Sequence, residues 1–254
     1  MIKAVFLDSD DTLYSHRQKK IPDSARDALL ALQQKGIAVV LATGRNPGEL
    51  RKLGVTDFPF DGYIVLNGQL CLDKDFIPYH KVPIEGKEKE YLVSLFEEKR
   101  LPMGFCDEDE LYINFCDHRV LEAQNAVSSP VPDCHAYNGK DLLLAMFYLN
   151  EEELKELDLS ALQVTRWNRR AVDVVAKGGS KYQGILKYME HYGISQEETM
   201  AFGDGENDME MLKKAGLSVA MGNAPEEVKA VADYVTDDID EDGILHALEH
   251  FGLL

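Results

Sequence analysis

Ala4-Val5-Phe6-Leu7-Asp8-Ser9-Asp10-Asp11-Thr12 and Met200-Ala201-Phe202-Gly203-Asp204-Gly205-Glu206-Asn207-Asp208 lie at opposite ends of the chain and share one plan. Each is a short apolar run that stops abruptly in acids. Runs of that kind form buried strands, and in an open parallel α/β sheet ligands bind beyond the carboxyl ends of the strands. Two such strands side by side converge Asp8, Asp10, Asp204 and Asp208 on one point. Carboxylates repel at close range, so the cluster calls for a hard cation. Oxygen donors with no histidine or cysteine among them favour Mg²⁺ over Zn²⁺.

The segments adjoining these runs alternate strand and helix. A strand over Val5–Leu7 leads to a helix from Asp23 or Ser24, whose stripe is Ala28, Leu29 and Leu32 and whose stop is Gly36. Ile37–Leu41, rich in β-branched residues, is a second strand ending at Thr43-Gly44-Arg45, and Tyr63–Leu66 a third ending at the turn Asn67-Gly68. That alternation predicts a Rossmann-like parallel sheet with helices on both faces. From 81 to 176 the rhythm changes. A charged helix is expected over Glu85–Arg100, strands over Phe105–Phe115 and Leu142–Leu149, and helices near Asp117–Val127 and Glu151–Leu157. A hairpin is expected from Val164 to Ala176. The first rhythm then resumes: a helix through Ile185 and Tyr188, the Met200–Phe202 strand, a helix over Met209–Ala215, strands at Leu217–Met221 and Tyr234–Val235, and a last helix near Gly243–Phe251. The expected organisation is one α/β core, 1–80 and 177–254, split by an inserted α+β domain over 81–176.

Bulk properties narrow the function. The chain has 254 residues, 45% of them hydrophobic and 28% charged, which suits a globular protein. A formal net charge of −18 argues against nucleic acid, which is bound through clustered Lys and Arg. It does not exclude a small phosphorylated substrate, since a metal and a few local cations invert the field inside one pocket. Cys71, Cys106, Cys116 and Cys134 form no CxxC pair and read as reduced structural thiols. The start, Met1-Ile2-Lys3-Ala4-Val5, enters a strand directly and reads as lacking a signal peptide. No apolar run approaches the roughly eighteen residues of a membrane span. A cytoplasmic protein without membrane partners, a monomer or weak homodimer, is expected.

Asp8-Ser9-Asp10-Asp11-Thr12, Thr43-Gly44-Arg45, Lys181 and Gly203-Asp204-Gly205-Glu206-Asn207-Asp208 resemble, in order, the motifs of the haloacid dehalogenase superfamily. Val219-Ala220-Met221-Gly222-Asn223-Ala224, Asp242-Gly243 and the place of the insertion resemble its Cof-like branch with a C2-type (IIB) cap. The resemblance spans the whole core. It implies that Asp8 is the nucleophile forming an aspartyl-phosphate, and that Asp10 is the general acid and then base. Mg²⁺ is implied among Asp8, the Asp10 carbonyl and Asp204, with Asp208 as ligand or support. Thr43, the Gly44 N–H and Asn207 are implied to hold phosphate oxygens, and Lys181 to pair with Asp8 and the transferring group. Many relatives carry glycine at Asp11, whose side chain is expected to turn away and bond locally.

The insertion is expected to form a lid that excludes water in one step and admits it in the next. Its hairpin residues Arg166, Trp167 and Asn168, with Arg45 from the core, are the candidates for substrate specificity. The function expected is a Mg²⁺-dependent phosphatase of a small phosphorylated metabolite, foremost a sugar phosphate. A phosphomutase of the same superfamily and a non-catalytic phosphometabolite-binding protein are the alternatives. The intact set Asp8, Asp10, Lys181 and Asp204 weighs against the last, since binding alone needs no nucleophile.

Overall fold

The computed structural model describes residues 1–126 and 129–254. Within these the chain separates into two compact units: Met1–Arg45, Glu49–His80 and Ser180–Leu254 form the first, and Lys81–Gly179 with Asn46–Gly48 the second. In chain order the elements before the insertion are β1 (Ala4–Leu7), α1 (Asp23–Gln34), β2 (Ala38–Ala42), α2 (Pro47–Lys52), β3 (Gly62–Val65), β4 (Leu70–Asp73) and β5 (Pro78–Lys81). The inserted unit follows with α3 (Gly86–Glu98), β6 (Met103–Cys106), β7 (Leu111–Ile113), α4 (His118–Ala126), β8 (Asp133–Cys134), β9 (Leu144–Phe147), α5 (Glu151–Lys155), β10 (Leu162–Asn168) and β11 (Ala171–Ala176). The chain then returns through α6 (Lys181–Tyr192), β12 (Thr199–Gly203), α7 (Met209–Lys214), β13 (Leu217–Ala220), α8 (Glu226–Lys229), β14 (Tyr234–Val235) and α9 (Gly243–His250).

The core sheet runs β14-β13-β12-β1-β2-β3-β4-β5. From β14 to β3 all pairings are parallel; β4 turns back antiparallel on β3. Strand β1 lies between β12 and β2, with Leu7 opposite both Phe202 and Leu41. Chain order reverses there, which is where open α/β sheets bind ligands. Period-2 alternation gives each strand two apolar faces. One packs Ala4, Phe6, Val40, Ala42 and Ile64 against Tyr182, Ile185 and Tyr188 of α6 and Met211 of α7. Phe6 meets Tyr188 edge-on at 5.5 Å between ring centroids. The opposite face is served by α1, which packs on β2 and on α9. A side chain such as Leu29 or Leu32, fully buried here, contributes about 1.5–3 kcal/mol relative to exposure.

The inserted unit has its own sheet, β10-β11-β9-β6-β7-β8, over a core of Phe96, Phe105, Tyr112 and Phe147. One expectation is corrected by this sheet. The strand expected over Phe105–Phe115 is two strands, because Asp107 Oδ1 accepts from the Asp109 and Glu110 backbone N–H groups and folds the chain into an Asx-turn between them. Strands β4, β5 and β8 and helix α8 carried no sequence expectation. The helix expected near Asp117–Val127 occupies His118–Ala126, and Val127 lies outside the described residues. Among the described residues no helix is long and apolar enough to cross a membrane.

Candidate active site

The register of β1, β2 and β12 brings three chain segments together beyond their carboxyl ends. Asp8 follows β1, Thr43 follows β2, and Asp204 follows β12. Lys181, the first residue of α6, reaches the same point. Its Nζ donates to Asp8 Oδ1 and, at 2.7 Å, to Asp208 Oδ1. Carboxylate oxygens of Asp8, Asp204 and Asp208 all lie within 4.8 Å of one another. Asp208 is fully buried; its second oxygen accepts from the N–H groups of Asp204 (3.0 Å) and Gly205 (2.9 Å). Thr12 donates to Asp204 Oδ1 at 2.6 Å.

Lysine at this depth needs a tight anchor, and two glycines provide it. The first turn of α6, capped by Ser180 accepting from Gln183 N–H, lies directly on the turn 66–68. A Cβ on Gly68 would stand 2.1 Å from Ser180 O, and one on Gly184 2.3 Å from Ile64 Cγ2. Gly68 also has φ +87, which costs any other residue strain. Gly68→Ala is therefore expected to destabilise the fold by about 2 kcal/mol or more and to displace Lys181. Chemical denaturation of the variant checks this, and an unchanged midpoint would refute the close approach.

Charge balance is uneven. Burial raises Asp8 well above the usual carboxylate range; Lys181 opposes that, while Asp208, Asp204 and Asp10 add to it. Asp204 is pushed up to about 7, first by burial, with the Thr12 hydrogen bond opposing and the charges of Asp208 and Asp11 adding. Burial pulls Lys181 down, but Asp208 and Asp8 outweigh it and hold the ammonium protonated. One cation thus faces three acids, an all-oxygen donor set that could hold a divalent ion.

Asp10 stands apart from that triad. Arg45 binds both its oxygens, Nε to Oδ2 and Nη2 to Oδ1, each at 2.7 Å, and His16 Nε2 lies 2.8 Å from Oδ1. Burial works to raise the Asp10 carboxyl, yet Arg45 and His16 hold it below its ordinary value. Thr43, buried, has its Oγ1 accepting from Arg45 N–H at 3.1 Å, so its own hydrogen is not consumed by that contact. Gly44 lies against Asn67, whose amide would be 3.2 Å from an added Cβ, and Asn207 Nδ2 reaches Asn67 Oδ1 at 3.5 Å. Thr12, His16 and Asn67 were not among the expected site residues. Only Thr12 had a sequence signal, its place in the acidic motif. Asp11 has a left-handed backbone (φ 58), which suits the glycine common there in the family it resembles. Its carbonyl, rather than a side-chain oxygen, accepts from Asn223 Nδ2 at 2.8 Å.

The hairpin candidates sit in the inserted unit, each with a partner there. Arg166 Nη1 donates to the carbonyls of Leu149, Asn168 and Arg169, and its Nε lies 2.6 Å from Glu151 Oε1. Trp167 packs against the cluster of Ile113, Val120 and Tyr148 and donates to Asp173 at 2.9 Å. Asn168 Oδ1 accepts from Arg170 N–H at 2.9 Å.

A family model described as haloacid dehalogenase-like hydrolase matches residues 5–248. YkrA of Bacillus subtilis (strain 168) is 35% identical over 99% of this chain and 98% of its own length. From the same organism, the 5-amino-6-(5-phospho-D-ribitylamino)uracil phosphatase YcsE is 30% identical over 99% of this chain and 96% of its own length. Among solved structures, BT4131, described as a subclass IIB sugar phosphatase of this superfamily, superposes with a TM-score of 0.83 at 36% identity. That match covers 99% of this chain and 100% of BT4131.

Proposed function

The chain belongs to the haloacid dehalogenase-like hydrolases and is a phosphatase of that family, and on this premise we propose that it hydrolyses a sugar phosphate or related polyol monophosphate, with Mg²⁺, through an aspartyl-phosphate on Asp8. The observation that carries the reading is Lys181, buried and bonded to both Asp8 and Asp208, with Asp204 close by. A binding protein gains nothing from a nucleophilic carboxylate held in so costly a setting. The substrate class is supported by the sugar phosphatase and the phosphoribityl compound named for the two relatives.

In this proposal the core unit, proposed as 1–80 and 177–254, carries the chemistry, and the insertion over 81–176 is a cap. Lys181 fixes Asp8 so that one oxygen faces the phosphorus atom. Asp8 attacks in line, and the ester oxygen leaves with a proton from Asp10. Asp10, then a carboxylate, takes a proton from water, which attacks the phosphoryl group and frees Asp8. The Thr43 hydroxyl, the Gly44 N–H and the Asn207 amide hold the non-bridging oxygens. Asp8 and Asp204 would hold Mg²⁺ with the Asp10 carbonyl, and Asp208 would support them. When bound, the ion would offset negative charge on the phosphoryl oxygens.

The test is phosphate release from sugar phosphates, nucleotides and cofactor monophosphates, with Mg²⁺ and with EDTA. Mg²⁺-dependent release led by sugar or polyol phosphates is expected. No release from any member overturns the reading, and transfer to a second sugar without free phosphate shows a mutase.

A pH dependence follows. Asp204 titrates near 7 when folded against an ordinary 3.8, so the stability it contributes is complete below 3.8 and is lost as pH rises through about 7. Mg²⁺ binds the ionised acids and displaces those protons, so its stabilising increment grows over the same window. Unfolding temperatures with and without Mg²⁺ are expected to agree near pH 4 and to separate most above pH 7. An increment independent of pH would refute this.

A further inference from the structure

The two acids of the first motif have separate cation partners: Asp8 pairs with Lys181, and Asp10 with Arg45. One edge of the Arg45 guanidinium, Nε and Nη2, forms a fork on the two oxygens of Asp10. The fork is itself well anchored. Arg45 N–H donates to Thr43 Oγ1 at 3.1 Å, and Arg45 C=O accepts from Leu66 N–H at 3.2 Å. Its side chain is 15% exposed, and Glu49 Oε1 lies 3.9 Å from Nη1. A planar fork on both carboxylate oxygens fixes rotation about the last bond of Asp10 as well as its position, which a single point charge does not do.

We propose that Arg45 is a positioning residue: it orients the Asp10 carboxyl for proton transfer to the leaving oxygen and from water. The inference rests on the phosphatase reading above and deepens it. Its signature is dependence on the leaving group. p-Nitrophenolate departs without a proton, whereas the far more basic phenolate gains from one.

The experiment compares kcat/KM on phenyl phosphate and p-nitrophenyl phosphate for wild type, Arg45→Met, Arg45→Lys, Asp10→Asn and the double variant Asp10→Asn/Arg45→Met. Arg45→Met is expected to lose about 100-fold on phenyl phosphate, the cost of misplacing a reacting group by about an ångström, and far less on p-nitrophenyl phosphate. Asp10→Asn is expected to show the same pattern, with the double variant no worse than Asp10→Asn alone. Arg45→Lys keeps the charge without the fork and is expected to resemble Arg45→Met; it carries the comparison should circular dichroism show Arg45→Met unfolded. Equal losses on both esters, losses that multiply in the double variant, or full activity in Arg45→Lys overturn the proposal. A wild type that releases no phosphate from either ester overturns the phosphatase reading, and the proposal with it.

Discussion

Asp8→Asn is expected to lower phosphate release by about 10⁴-fold or more, the scale on which removing a covalent nucleophile acts. The substitution is isosteric and leaves Lys181 bonded to Asp208, so shape and the remaining ion pair persist. An amide offers no carboxylate to attack phosphorus. Stability moves the other way. Asp8 carries a charge that burial disfavours, with Asp208, Asp204 and Asp10 adding repulsion. A neutral group removes that cost, so the variant is expected to unfold at a temperature equal to or above that of wild type in EDTA. Activity and melting temperature measured on one preparation therefore separate lost chemistry from lost fold. Activity within tenfold of wild type would remove Asp8 from the nucleophile's role.

Lys181→Met is expected to cost both activity and stability. Lys181 is 1% exposed and bonds two buried acids, so its loss leaves Asp8 and Asp208 without their shared cation. Breaking a buried pair from one side typically costs about 3–5 kcal/mol. Because Lys181 titrates above its ordinary value, the stability it contributes is complete at neutral pH and lost only as pH rises through the folded value. The stranded acids recover part of the loss by taking up protons, so the deficit should shrink as pH falls from 7 towards 4. Urea unfolding of wild type and variant at several pH values measures this. A deficit under about 1 kcal/mol at pH 7 would mean that the three side chains do not form the buried cluster described.

Much of this site was legible because strand ends and acids coincide. Asp8, Thr43 and Asp204 follow apolar runs that read as buried strands, and neighbouring parallel strands bring their ends together. Lys181 was marked out by the family resemblance rather than by any local signal, while the reason it sits so deep, the contact of Gly68 with Ser180, is a tertiary packing fact. The Arg45–Asp10 fork was hidden for a similar reason: the two residues lie on loops after different strands, and nothing local to either names the other. Asn67 read only as a turn former, yet its amide lies beside Gly44 and Asn207. The missed break between β6 and β7 had a signal. Asp107-Glu108-Asp109-Glu110 is a polar run inside an apolar stretch, and its first residue forms the turn.

Trapping the covalent bond between phosphorus and one oxygen of Asp8 is the most direct test of the proposed mechanism. Acid quench during turnover of a phosphate monoester with Mg²⁺, borohydride reduction and peptide mapping by mass spectrometry would convert an acyl phosphate to an alcohol. The prediction is homoserine at position 8, dependent on substrate and Mg²⁺. An enzyme that turns over while residue 8 stays unmodified, or that carries the reduced residue elsewhere, would contradict it.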